Sequence, residues 1–186
     1  VEDNDTLMNL TGLESLVALG GIKIKDNDLL NSLTGLENLS MLWGSLTVQN
    51  NSMLSNLNSL SNLISTGSNV TIQDNSSLNN LEGLTNLEFV GGSLKVAGNP
   101  LLSNLTGLEN ISTIGDDFQI KDNSALISII HFEGLDTVGT TLQVWGNNML
   151  TDLTGLEMIS VVGQDVEILS NEALLSLQGL TNLTTV

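Results

Sequence analysis

The stretch SLTVQNNSMLSNL, residues 45–57, holds two kinds of apolar spacing with an asparagine between them. Leu46 and Val48 alternate with Thr47 and Gln49, the pattern of a strand with one buried face. From Leu54 onward the apolar residues recur at every third position, at Leu54, Leu57, Leu60 and Leu63. A spacing of three belongs neither to a strand nor to an α-helix. It fits 3₁₀-like or extended irregular backbone that turns one side inward at each step. Asn51 stands where the spacing changes.

The stretch is one copy of several. Ile24, Val48, Ile72, Val96, Ile120, Val144 and Ile168 are spaced by 24 residues. Two positions earlier stand Ile22, Leu46, Val70, Leu94, Phe118, Leu142 and Val166. Three positions later stand Asn27, Asn51, Asn75, Asn99, Asn123, Asn147 and Asn171, and the column three beyond those (Leu30, Leu54, Leu78, Leu102, Leu126, Leu150 and Leu174) is entirely leucine. A partial copy, with Asn4, Leu7, Leu10, Gly12, Leu13, Leu16 and Leu19, precedes them and is one residue short at Gly20-Gly21. A unit of this kind cannot bury its apolar side alone, but stacked units can.

The expected fold is therefore a right-handed parallel β-solenoid, or β-helix, of about seven to eight leucine-rich coils. It forms a single array over residues 1–186, with a partial first coil over 1–21 and regular 24-residue coils over 22–186. Equivalent strands ~4.8 Å apart make the array on the order of 35 Å long. Paired glycines such as Gly91-Gly92 read as the tight turn that closes each unit. The asparagine column reads as a structural ladder. A chain that turns after each strand leaves inward peptide N–H and C=O groups to be paired, and an amide side chain supplies both donors and an acceptor. Both ends stop within a unit and carry no polar cap, so the chain is expected to be part of a longer protein or to stack end to end.

Composition narrows the function classes. The chain is 40% apolar and 3% aromatic, with no cysteine, so leucine, isoleucine and valine carry the packing and no disulfide helps them. Four lysines face 21 acids, a net charge of −17. That balance argues against nucleic acid, whose binders need a basic footprint. No run of 18 apolar residues is present, so no transmembrane segment is expected in this chain.

The segments GLENLSMLWGSLTVQNNSML (residues 35–54) and GLTNLEFVGGSLKVAGNPLL (residues 83–102) resemble the leucine-rich-repeat superfamily, and within it the receptor L-domain type of repeat. The spacing departs from the usual L-x-x-L-x-L-x-x-N-x-L, because two residues separate Asn51 from Leu54. It is more similar to the β-helical L domains of growth-factor and insulin-type receptors, and to their relatives in microbial and fungal surface proteins. Cysteine-rich modules and terminal caps go with those domains, and neither occurs here. The resemblance implies an extracellular setting, secreted or attached to a cell surface, and names no ligand.

Signals for chemistry are sparse. His131 is the only histidine, and with no cysteine or second histidine it lacks the partner a base–nucleophile pair needs. Asp116, Asp117 and Asp165 are the nearest to an acid–base set. Asp117 and Asp165 share a column two coils apart, roughly 9.6 Å, a spacing compatible with an inverting glycosidase. They also sit beside the glycine turn, where aspartate is ordinary turn chemistry. Asp26, Asp74 and Asp122 precede ladder asparagines, but Asn50 and Gly98 interrupt the column, so no adjacent pair of carboxylates builds up for calcium. The expectation is a non-enzymatic protein without cofactor or metal. Nine Asn-x-Ser/Thr sequons occur, at Asn4, Asn9, Asn38, Asn50, Asn69, Asn75, Asn104, Asn110 and Asn182. Asn4 and Asn75 belong to the ladder and are expected to be too buried to modify. Asn38, Asn110 and Asn182 share one outward column and are the candidates for glycosylation.

One asymmetry remains. The outward residues of the strands include Lys23, Lys25, Thr47, Gln49, Thr71, Gln73, Lys95, Gln119, Lys121, Gln143 and Trp145. All four lysines lie in these two columns, and Glu167 is the one acid that joins them. As a binding face this set offers hydrogen bonds and one exposed aromatic for stacking. As a purely structural surface it avoids stacking like charges on parallel strands, and Thr47–Thr71, Gln49–Gln73 and Gln119–Gln143 are natural stacking pairs. The lysines break the regular threonine array that an ice-binding face would need. The expected function is an extracellular or cell-surface recognition or adhesion module that binds a protein or glycan on this face. The alternative is a structural subunit or stalk of an extracellular filament or surface layer, with solenoids stacked end to end.

Overall fold

A computed structural model describes residues 1–129, Phe132 and residues 134–186 of the chain. Among them the chain forms a parallel β-solenoid with two sheets of seven strands each, and in both sheets the strands follow in coil order. The wider sheet contains Ile22–Lys25, Leu46–Gln49, Val70–Gln73, Leu94–Ala97, Phe118–Lys121, Leu142–Trp145 and Val166–Leu169. Its register is the 24-residue period itself: Ile22 pairs with Leu46, Leu46 with Val70, and so on to Val166. Period-2 alternation sends Leu46 and Val48 fully inside and leaves Thr47 and Gln49 half-buried on the outer face.

The second sheet is absent from the sequence reading. Its strands are two residues long: Ala18–Leu19, Met41–Leu42, Ser65–Thr66, Phe89–Val90, Thr113–Ile114, Thr137–Val138 and Val161–Val162. Two residues are too few to show alternation. The trace they leave is a single inward column of Leu42, Thr66, Val90, Ile114, Val138 and Val162. Thr66 is its one polar member and donates its hydroxyl hydrogen to the Ser68 carbonyl at 3.0 Å.

The glycines that follow this column have a different role from the tight turn expected of Gly91-Gly92. A Cβ on Gly91 would lie 2.6 Å from the Gly67 carbonyl oxygen, and one on Gly139 would lie 1.8 Å from that of Gly115. Each glycine therefore admits the backbone of the preceding coil. In the first coil, one residue short, the clash moves along the chain. There Gly44, not Trp43, faces the carbonyl of Gly20, at 2.2 Å from where a Cβ would sit.

Most of the spacing of three comes from i→i+3 turns; at the column of Leu10, Leu81 and Leu153 the N–H instead donates to a carbonyl of the next coil. Leu54 N–H donates to Asn51 at 3.1 Å, Leu60 to Leu57 at 2.8 Å, and Leu63 to Leu60 at 2.9 Å. Each turn brings the next leucine inward, and Leu54, Leu57, Leu60 and Leu63 are all fully buried. Two of these turns tighten into 3₁₀ helices at Asn58–Leu60 and Glu82–Leu84. Phe132 occupies the column of Leu36, Leu60, Leu84, Leu108 and Leu156 and packs on Phe118 with ring centroids 4.8 Å apart. Its neighbour His131, the chain's only histidine, lies outside the described residues.

Candidate recognition face

The asparagine column is built as a ladder. Asn51 donates from Nδ2 to the carbonyls of Ile24 at 2.9 Å and Gln49 at 3.0 Å. Its Oδ1 accepts the backbone N–H of Asn27 at 3.3 Å, and its own N–H donates to Oδ1 of Asn75 at 3.1 Å. The same set recurs through Asn75, Asn99, Asn123 and Asn147, all fully buried with Asn27 and Asn51, and runs on to the half-buried Asn171. Their amides are spent on backbone groups, so these residues hold coils and present nothing to a ligand. Asn4 differs from expectation. Its N–H joins the ladder through Oδ1 of Asn27, but its side chain is exposed because a coil covers it on one side only.

The column just before the ladder explains the aspartates considered for calcium. Asp3, Asp26, Asn50, Asp74, Asp122 and Ser170 all have φ between 54° and 56°, and Gly98 and Gly146 have φ of 65° and 70°. This is the left-handed region, where Asp, Asn and Gly are least strained. Among the described residues no group of three or more metal-ligating side chains comes together. Other acids are held by the backbone. In the recurring G-L-E, the carboxylate of Glu37 accepts the Gly35 N–H at 2.8 Å and that of Glu157 accepts the Gly155 N–H at 2.7 Å. Backbone N–H groups, its own first and then that of Gly35, hold the Glu37 carboxyl below its usual range.

Asp117 is engaged in the same way. It accepts the Thr140 hydroxyl, the Thr141 N–H at 3.2 Å and the Gln119 amide at 3.1 Å. The Thr140 bond is the main reason its carboxyl lies below the usual range. A carboxylate tied to the next coil by several donors is poorly placed to exchange a proton with a substrate. Asp116 and Asp165 are exposed.

On the wider sheet the candidate face has the alternation expected of it, and its two ends differ. Lys23 pairs with Glu2 at 3.0 Å, and Lys25 with Asp26 at 3.1 Å. Glu2 lies in register with Lys25, so a second acid joins these columns besides Glu167. Asn50 and then Lys25 hold the Asp26 carboxyl below its usual range, while Asp26 raises Lys25. Among the described residues Lys95 and Lys121 form no ion pair. The Lys121 amine instead stands 5.9 Å from the centre of the Trp145 ring, whose side is 46% exposed. Next to them Gln143 donates to Glu167 at 2.5 Å, and its buried Oε1 has no hydrogen-bond partner among the described residues. Thr47–Thr71, Gln49–Gln73 and Gln119–Gln143 are neighbours in register.

The bonding of the outer asparagine column, and a second surface feature, were not read from the sequence. Asn38, Asn110 and Asn182 are exposed, and each also donates from Nδ2 to a carbonyl of the preceding coil, of Glu14, Thr85 and Glu157, at 2.7 Å. Asn62 and Asn86 do likewise, so a second, outer asparagine column runs along the solenoid. The signal was the recurrence of Asn at 38, 62, 86, 110 and 182. An N-linked sugar would replace one of the two Nδ2 hydrogens and leave the other for this bond. The second feature is Trp43, 71% exposed, on the outside of the two-residue sheet. With Met41, Gly67 and the half-exposed Phe89 it lines a recess of about 190 Å³. Its signal was a tryptophan in a column otherwise made of Gly67, Gly91, Gly115, Gly139 and Gly163.

No family model, curated protein or solved structure matches this chain. Among the described residues no helix is long and apolar enough to cross a membrane.

Proposed function

We propose that the protein is a non-enzymatic recognition or adhesion module of the extracellular space or a cell surface, binding a protein or a glycan on the outer face of the wider sheet. The observation that carries this reading is the pairing of a half-exposed Trp145 with Lys121, on the same face as Gln143 and Lys95, which forms no ion pair among the described residues. A rigid aromatic with a polar rim gives stacking area and directional hydrogen bonds at low entropic cost. Acids lie at the two ends of the face, at Glu2 and Glu167, and its middle is neutral to basic on a body of net charge −17. The resemblance to receptor L-domain repeats and the exposed sequon asparagines support the extracellular setting.

The two tryptophans make a direct test possible. In Trp43→Phe, Trp145 is the single indole, and its emission reports ligand arriving on the face. A glycan array and a panel of extracellular protein domains supply the ligands. The expected result is a saturable change in emission with at least one class, lost in Lys121→Ala and unaffected by Asn38→Gln. Binding that survives Trp145→Ala and Lys121→Ala together overturns this face as the site.

A further inference from the structure

The turn after each ladder asparagine carries an apolar ridge along one edge of the solenoid. Two positions past the ladder stand Leu29, Met53, Ser77, Leu101, Ala125, Met149 and Ala173, one per coil. The coils stay in register here, since Ser76 Oγ donates to the Ser52 carbonyl at 3.2 Å and Ile127 N–H to that of Ser103 at 3.0 Å. Met53, Leu101 and Met149 are 51%, 56% and 52% exposed. Ser77, Ala125 and Ala173, between and beyond them, are short and half-buried. From Met53 on, large and small residues therefore alternate, with knobs roughly 9.6 Å apart and a hollow after each.

The edge is also uncharged where most of the surface is acidic. Through the five middle coils, the flanking positions 52, 76, 100, 124 and 148 on one side and 55, 79, 103, 127 and 151 on the other hold no charged residue, in a chain with 21 acids. Two chains of net charge −17 that meet through these middle coils bring no acid against an acid there.

We infer that this edge joins two copies of the chain as an antiparallel, two-fold symmetric dimer. A two-fold axis lying in the interface, across the solenoid and between the coils of Leu101 and Ala125, sets each column against itself with the coil order reversed. Leu101 then meets Ala125 of the second copy, Met149 meets Ser77, and Met53 meets Ala173. Every knob enters a hollow. In the flanking columns Ile127 meets Ser103 and Glu172 meets Ser52, so no acid faces an acid. A parallel pairing about the solenoid axis would instead press Met53 on Met53 and Leu101 on Leu101. Six coils ~4.8 Å apart, over a strip about 15 Å wide, bury about 860 Å² counted on both copies, less than the roughly 1,200 Å² of a stable interface and in the range of transient ones. The dimer is accordingly weak and concentration-dependent.

Sedimentation velocity across a concentration series tests this on the chain as it stands. The mass is expected to rise from 19.7 kDa toward twice that value. Ala125→Leu puts leucine against leucine and weakens association about tenfold or more. The double variant Leu101→Ala/Ala125→Leu exchanges knob and hollow and restores association, which a general loss of apolar surface does not do. Neither position lies in the core, and circular dichroism verifies that both variants keep the fold. A mass of 19.7 kDa at every concentration, association unchanged in Ala125→Leu, or no rescue in the double variant overturns the inference. Loss of association in Trp145→Ala also overturns it, by moving the contact to the sheet face.

Discussion

Replacing Asn75 with alanine removes one rung from the middle of the ladder and leaves the backbone in place. Asn75 is fully buried. Its Nδ2 satisfies the carbonyls of Val48 at 3.0 Å and Gln73 at 3.1 Å, and its Oδ1 satisfies the N–H of Asn51 at 3.1 Å. Alanine strands the Val48 carbonyl and the Asn51 N–H, while the Gln73 carbonyl keeps the Asn50 N–H at 3.1 Å. A buried polar group left unpaired costs about 1–3 kcal/mol, and a water entering the vacated space relieves part of that. The expected loss is about 2–5 kcal/mol, a large share of the roughly 5–15 kcal/mol that holds a domain folded. Contacts in a solenoid run only between neighbouring coils, so the damage is local. Urea unfolding followed by circular dichroism gives the free energy. Hydrogen exchange gives the location: the Asn51 amide loses protection while amides of the Leu142–Trp145 strand keep theirs. Asn4→Ala is the control, since its exposed side chain satisfies only the Glu2 carbonyl, and it costs under about 1 kcal/mol. If Asn75→Ala costs no more than Asn4→Ala and the Asn51 amide stays protected, the ladder is not what satisfies the buried backbone.

Gly139→Ala is expected to destabilise by about 3 kcal/mol or to fail to fold, because its Cβ would meet a backbone oxygen that cannot give way, while Gly20→Ala, with open space around its Cβ, stays within about 1 kcal/mol in the same urea assay. At the left-handed position, Asn50→Gly and Asn50→Val both lose the bond to Asp26, and Val is expected to be less stable than Gly by about 1–2 kcal/mol; equal stability of the two would remove backbone conformation as the reason for the column. Asp117 has a folded pKa below its unfolded one, so its contribution is complete above the unfolded value and disappears as pH falls through the folded value. Asp117→Asn therefore lowers the melting temperature at neutral pH, and the gap to the unaltered chain narrows in acid; a gap constant with pH would refute that account.

Much of the architecture is legible because a solenoid repeats its chemistry. One copy of LTVQNN is ambiguous, but seven copies at a spacing of 24 fix strand, face and register together. The ladder was readable for the same reason, since a polar residue at one buried position in every coil must satisfy the same backbone groups each time. What escaped was local geometry. The left-handed φ at Asp26, Asn50, Asp74 and Asp122 hides behind a column that mixes aspartate, asparagine, glycine and serine, and only the backbone shows what these share. The Gly91 column looks like a turn because glycine is the residue of turns, whereas its cause is the carbonyl of the coil beside it. The pairing of Lys23 with Glu2 was missed because the first coil is one residue short, which shifts Glu2 out of the regular count and into the lysine columns. At the candidate face, the sequence placed Trp145 and Lys121 outward on neighbouring strands; the approach of the amine to the ring depends on side-chain torsions that no periodicity records.

The alternation along the Met53–Met149 edge gives this solenoid two repeat lengths instead of one. The ladder, the sheets and the glycine column are indifferent to how many coils there are, because each coil satisfies its neighbour in the same way. The edge is not. Deleting residues 75–98 would join Asp74 to Asn99 and hand every rung a correct partner, yet it would bring Met53 beside Leu101 and put the knobs out of phase with the hollows. Deleting residues 75–122 would leave Met53 followed by Ala125, Met149 and Ala173, with the phase intact. Lineages that gain or lose coils one at a time would keep the fold and lose the edge; those that keep both must change length in pairs.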